Sequence, residues 1–154
     1  MSRRFTTLLL VGFGRLPWPL RLALVRAFTP SFRVGAMCLV ERDDGAVLLV
    51  RHSYRRGWGL PGGLLQRGEE PLAAASREAM EELGLTLELD EQPKIVVDAA
   101  NRRVDVIYRA PMPGGGESPV PRSPEILEAR WFPVDGLPRL GEEAASALAQ
   151  LRRG

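Results

Sequence analysis

The chain has one cysteine, Cys38, and one histidine, His52. A single thiol excludes an intramolecular disulfide and fits a reducing cytoplasm. Cys38 lies in an apolar run with no base beside it, so it reads as core rather than as a nucleophile. His52 reads as a strand-end residue rather than a catalyst. Long hydrophobic runs are also missing: no stretch approaches the roughly 20 residues needed to span a bilayer. Acid is missing from one whole region. Residues 1–33 hold Arg3, Arg4, Arg15, Arg21, Arg26 and Arg33 and no Asp or Glu. Lysine is nearly absent, one against twenty arginines, a genome-level bias that says nothing about mechanism. There are no internal repeats, which excludes a solenoid.

What is present suits one domain. The 154 residues are 45% hydrophobic, enough for a real core, and the net charge is +2. That balance gives no reason to expect a nucleic-acid partner. Residues 1–31 form a basic arm, expected as two short helical pieces broken at Pro17 and Pro19, the second running from Leu20 to Phe28. Three readings of the arm stand together. It packs on the domain or on a second copy in a homodimer; it is a basic helix in peripheral contact with a membrane; or it is a secretory signal. Ser2-Arg3-Arg4-Phe5 resembles a twin-arginine signal, but Arg15 ends the apolar stretch early and no clear cleavage site follows.

From about residue 32 to 154 the pattern becomes α/β. Val34–Glu41 and Ala46–His52 are apolar β-type runs joined by Asp43-Asp44-Gly45, a hairpin turn. Thr86–Leu89, Ile95–Ala100, Arg103–Ala110 and Ile126–Val134 read as further strands. Asn101-Arg102 is a tight turn, and the Pro- and Gly-rich stretch from Pro111 to Pro124 is a mobile loop. Gly141–Arg152 is a closing amphipathic helix. The expected architecture is a mixed β-sheet sandwiched between α-helices.

The run from Gly63 to Leu85, GLLQRGEEPLAAASREAMEELGL, carries the chemistry. Pro71 suits a first helical position. Glu69 and Glu70 place negative charge at the positive end of the dipole. Most residues from Leu72 to Leu83 are good helix formers, and Gly84 supplies a left-handed stop. Leu72, Ala75, Ser76, Ala79 and Leu83 gather on one stripe that would pack on a sheet. Glu78, Glu81 and Glu82 are expected to point away from it. Acids three and four apart share a helical face and repel one another. A hard divalent cation resolves that conflict, because Mg2+ takes oxygen ligands from a few carboxylates and from substrate phosphates. Before the helix, Leu60-Pro61-Gly62-Gly63 is a tight turn where backbone can approach a ligand closely.

This spacing resembles the Nudix box: Gly63, Glu69, Arg77, Glu78, Ala79, Glu81, Glu82, Gly84 and Leu85 stand at its specified positions. Ala79 is the one departure, since the pattern prefers a larger aliphatic there. The flanking Trp58-Gly-Leu-Pro-Gly-Gly63 is similar to many members of this MutT-like hydrolase family. The resemblance implies an α/β Nudix fold. It implies hydrolysis of a nucleoside diphosphate linked to another moiety, a small-molecule nucleotide substrate, and Mg2+ with Mn2+ as a substitute. It also implies metal contacts from Glu78, Glu81, Glu82 and the backbone carbonyl of Gly62.

Arg77 reads as a bridge to Glu69 or to a metal-binding acid, fixing its geometry. Glu69 is then that partner or part of the catalytic water network. A further carboxylate often comes from outside the box in this family. Glu125, in a loop able to swing over the site, is the candidate, ahead of Glu117 and Asp105. Either Glu82 or the loop acid would take the proton of the attacking water. Arg51, Arg55, Arg56, Arg102 and Arg103 could grip phosphate, and Trp58 and Tyr54 could stack on a base. Arg51, Trp58 and Arg103 are the substrate-binding expectation. The family's marker for ADP-ribose, a proline about sixteen residues past the box, is replaced by Ala100-Asn101, and Arg103 stands where a tyrosine would indicate dinucleoside polyphosphates. Two alternatives remain: a non-catalytic binding or regulatory module, and a hydrolase of a lipid- or RNA-linked pyrophosphate.

Overall fold

A computed structural model describes residues 11–112 and 119–151. The chain divides into two compact units, Met1–Phe32 and Arg33–Gly154. In the first, residues 11–15 are helical and helix α1 spans Trp18–Phe28. Pro17 is the extended cap and breaks the two pieces. Pro19 does not interrupt α1, because a first-turn proline gives up no intrahelical hydrogen bond. No residue of α1 is buried. Trp18, Leu20, Leu24, Val25 and Phe28 are all exposed.

The second unit is built on one mixed sheet. Its strands are β1 (Arg33–Arg42), β2 (Ala46–His52), β3 (Gly62–Leu64), β4 (Lys94–Asp98), β5 (Arg103–Met112) and β6 (Ile126–Pro133). The order is β4-β5-β1-β2-β6, with β3 paired to β1. Strands β1 and β5 run parallel along their whole length, Arg33↔Arg103 to Arg42↔Met112. The other pairs are antiparallel. The hairpin between β1 and β2 closes as expected: Gly45 takes φ 78° and its N–H reaches the Arg42 carbonyl at 2.9 Å. Beyond the hairpin the two strands diverge, their register pair being Glu41↔Val47. Strand β3 fills the gap on β1, with Ala36↔Gly63 and Met37↔Gly62 in register.

Alternation along the strands feeds two cores. Ala36, Cys38, Val40, Leu48 and Val50 face helix α2 (Pro71–Leu83), meeting Ala74, Ala75, Ala79 and Leu83. Met37, Leu39, Val47 and Leu49 face helix α3 (Glu142–Leu151), meeting Ala144, Ala147 and Leu148. The sheet is thus covered on both sides. Cys38 is fully buried, its Sγ 3.4 Å from the Ala75 carbonyl, and burial pushes its pKa up to about 12.

Three expectations need correction. Residues 86–89 form no strand. Leu87 and Leu89 pack on the α2-side core, and the segment meets the sheet through the Asp90 N–H on the Arg109 carbonyl. Strand β5 runs on through Pro111 and Met112, which were expected to open a loop, because Glu41 and Arg42 of β1 still pair with them. Within α2, Leu72 is 42% exposed and Ala74 fully buried, so the packed stripe is rotated from the one expected.

Candidate active site

Helix α2 starts at Pro71 and stops at Gly84, whose φ of 66° is the left-handed cap. The Gly84 N–H bonds the Met80 carbonyl at 2.9 Å, the bond of an αL stop, and the Leu85 N–H reaches the Ala79 carbonyl. These ends fix which residues face the glycine turn. Ala75, Ala79 and Glu82 are separated by four and three, so they share a face. Glu82 therefore does not point away from the sheet as expected: it is 4% exposed. Its Oε2 accepts the Gly62 N–H at 3.0 Å and its Oε1 lies 3.1 Å from His52 Nε2. Gly62 is obligatory here. Its φ is 145°, and a Cβ would sit 2.3 Å from the Ala36 carbonyl oxygen.

Arg77 binds three acids. Its guanidinium makes two hydrogen bonds to Glu69, 2.8 and 3.0 Å, one to Glu78 at 2.7 Å and one to Glu81 at 3.1 Å. Hydrogen bonds from Arg77, and then the Gln66 N–H, hold the Glu69 carboxyl down to about 2. Glu78 goes the other way. Burial raises its pKa most, Arg77 opposes, and the nearby Glu82 and Glu81 charges add to the rise. A Cβ on Gly63 would sit 2.3 Å from Glu78 Oε1, so the glycine keeps open the space that this carboxylate uses.

Gly62, Gly63, Glu78, Glu81, Glu82 and Glu125 line one cleft of about 380 Å3, with Tyr54, Arg55 and Ser123 at its rim. Glu125 reaches it without a swinging loop. The Glu125 carbonyl accepts the Ser53 N–H at 2.8 Å, its own N–H donates to Ser123 Oγ, and the Arg122 N–H donates to the Glu82 carbonyl. Of its rivals, Asp105 is buried against Arg103 at 2.7 Å and does not line the cleft, and Glu117 lies outside the described residues. Among the described residues no three acidic, histidine or cysteine side chains close a ready-made metal cage. The donor set nonetheless fits a hard divalent cation. Four carboxylates share one cleft, the all-oxygen lining that a hard divalent cation takes.

A second cleft of about 280 Å3 adjoins the first through Arg55, and Trp58, Asn101, Arg103, Glu143 and His52 are among its walls. Glu143 receives both Arg55 and Arg103, and Arg103 continues to Asp105. Trp58 stands edge-on to Phe132. Arg51 lines neither cleft; it pairs with Glu128 across β2 and β6. His52, which reads from the sequence as a strand-end residue, is the buried neighbour of Glu82. Its parity with Leu48 and Val50, both inward-facing on β2, was the available signal.

A family profile described as NUDIX domain matches residues 31–151. A MutT-like protein of Streptomyces ambofaciens is 31% identical over 69% of this chain and 67% of its own length. A CMP-5'-(N-acetyl-N-hydroxy-3-aminopropyl)phosphonate hydrolase of Streptomyces rubellomurinus is 31% identical over 66% of this chain, which spans 52% of that relative. Among solved structures, the crystal structure of a MutT NUDIX hydrolase from Burkholderia pseudomallei is similar with a TM-score of 0.60 and 29% identity. It covers 81% of this chain and 100% of its own.

Proposed function

Because the chain belongs to the Nudix family of pyrophosphohydrolases, we propose that it hydrolyses a pyrophosphate bond of a nucleoside diphosphate linked to another moiety. The working cation is Mg2+, with Mn2+ as its substitute. The observation that carries this reading is the meeting of Glu78, Glu81, Glu82 and Glu125 in one cleft beside the Gly62-Gly63 turn. The three α2 acids and the Gly62 carbonyl would hold the cation. When bound, it neutralises phosphate charge, lowers the pKa of the attacking water and supports the leaving oxygen.

The chain's own residues do the rest. Arg77 and Glu69 fix the rotamers of Glu78 and Glu81. Arg55, at the junction of the two clefts, would reach a phosphate that spans them by giving up its pairing with Glu143. Trp58 and Arg103 bound the space for the attached moiety, whereas Arg51 is committed to Glu128. Water attacks phosphorus, its proton passes to the Glu125 carboxylate, and the bridging P–O bond breaks to release two phosphorylated products. The relative that acts on a CMP-linked phosphonate makes cytidine nucleotides joined to small polar acids natural members of a substrate panel.

In this proposal residues 32–154 are the catalytic domain and residues 1–31 a basic arm that mediates self-association or peripheral membrane contact, in a cytoplasmic protein. The test is a Mg2+-dependent screen of nucleoside triphosphates and nucleoside diphosphate derivatives, reading phosphate after coupled phosphatase treatment. At least one derivative is expected to turn over and to stop on chelation. Binding of nucleotides with no turnover in Mg2+ or Mn2+ would instead make the protein a binding module.

A further inference from the structure

We propose that His52 is a positioning residue for Glu82, donating a hydrogen bond from Nε2 that holds this carboxylate toward the cation. The inference rests on the reading of the α2 cleft as a cation site. Glu82 is 4% exposed and His52 is 3% exposed, so both polar groups depend on protein partners. The contacts of Glu82 are of one kind. Gly62 N–H holds Oε2 at 3.0 Å and His52 Nε2 holds Oε1 at 3.1 Å. An ionised carboxylate only accepts, so Nε2 is the donor in this pair.

The contrast with Arg77 supplies the rationale. That guanidinium is hydrogen-bonded to Glu69, Glu78 and Glu81 and to the Leu64 carbonyl, and makes no such bond to Glu82. Arg77 spreads one positive charge over three acids and leaves the direction of Glu82 to other donors. An imidazole N–H and a backbone N–H fix the direction of the carboxylate while leaving it open to a cation.

The ring of His52 is itself held. His52 ends β2, and Gly59 is paired to Val50 by hydrogen bonds of 2.8 and 2.9 Å; a Cβ on Gly59 would stand 3.7 Å from Cε1 and Nδ1 of the ring. The Tyr54 ring stands 5.5 Å away. His52 thus links the clefts, with Nε2 on Glu82 of the first and the residue itself among the walls of the second.

The test is direct Mn2+ titration of the full chain, without substrate, for wild type, H52L, H52Q and H52N. Removing such a supporting hydrogen bond typically weakens metal affinity about 10- to 100-fold. H52L is expected to lose affinity on that scale. H52Q, whose amide extends toward the position of Nε2, is expected to recover most of it. H52N is polar but too short to reach Glu82, so it should behave like H52L and replaces it if the leucine variant does not fold. In turnover assays kcat should fall in H52L and H52N while KM for the nucleotide holds. Wild-type Mn2+ affinity in H52L and H52N, or equal loss in all three variants, would overturn the positioning role alone. A wild-type protein that binds no Mn2+ would overturn the cation site and this proposal together.

Discussion

Burying a carboxylate is costly unless its oxygens are satisfied, and Glu82 satisfies them with two N–H donors instead of an arginine. Its neighbour Glu69 follows the opposite logic. Arg77 grips it with two hydrogen bonds, and its carboxyl falls from 4.5 to about 2. A depressed folded-state pKa means that folding favours the ionised form. The resulting stability is complete above about 4.5 and is lost as pH falls toward about 2. E69Q should therefore melt below wild type at neutral pH, and the gap should close on acidification through that window. A gap independent of pH would show that the Glu69 charge does not stabilise the fold. At this scale the sequence was legible where spacing is rigid: Arg77 reaches Glu69, Glu78 and Glu81 because helical geometry and the preceding turn leave little choice. For His52 only the inward parity on β2 was legible; its partner lies thirty residues away on another element.

Among the elements, α2 was the most readable, because proline at its start and glycine at its stop leave no freedom in its ends. Its rotation was less so. Fully buried Ala74, Ala75 and Ala79 set the packed face, and Glu82 travels with them. Ala79 stands where the family pattern prefers a larger side chain, and it is completely buried in the α2-side core. Residues 86–89 misled because alternating leucines suit a strand, yet they serve to cover the α2-side core. The segment before β6 was expected to swing, whereas the Arg122 and Glu125 backbones are tied to Glu82 and Ser53. In the proposed mechanism Glu125 would act from this tied backbone. E125Q should lower kcat while leaving Mn2+ binding to the free protein nearly unchanged, since the α2 acids hold the cation. E128Q is the control, because Glu128 pairs with Arg51 and Arg130 along the sheet, away from the cleft. Equal kinetics for the two variants would remove Glu125 from the mechanism.

For the whole molecule, the mixed sheet with a helix on each face was readable from alternating strands and the helical box, since each face of a two-sided sheet must be covered. The arm was readable only as chemistry: arginines without acids, and apolar side chains that α1 leaves exposed. No helix among the described residues is long and apolar enough to cross a membrane. Deleting residues 1–30 is expected to preserve turnover and to change either the sedimentation coefficient or cosedimentation with anionic phosphatidylglycerol vesicles. If neither changes, the arm mediates no self-association and no membrane contact. The central claim is that cation-dependent pyrophosphate hydrolysis takes place in the α2 cleft. It is tested most directly by the kcat of purified E82Q against wild type, at saturating Mg2+, on the best nucleotide from the screen. Exchange of the carboxylate for a neutral amide should lower kcat by on the order of 10³, roughly 4 kcal/mol of barrier, with the fold retained. Near-wild-type turnover by folded E82Q would contradict the assignment of the site.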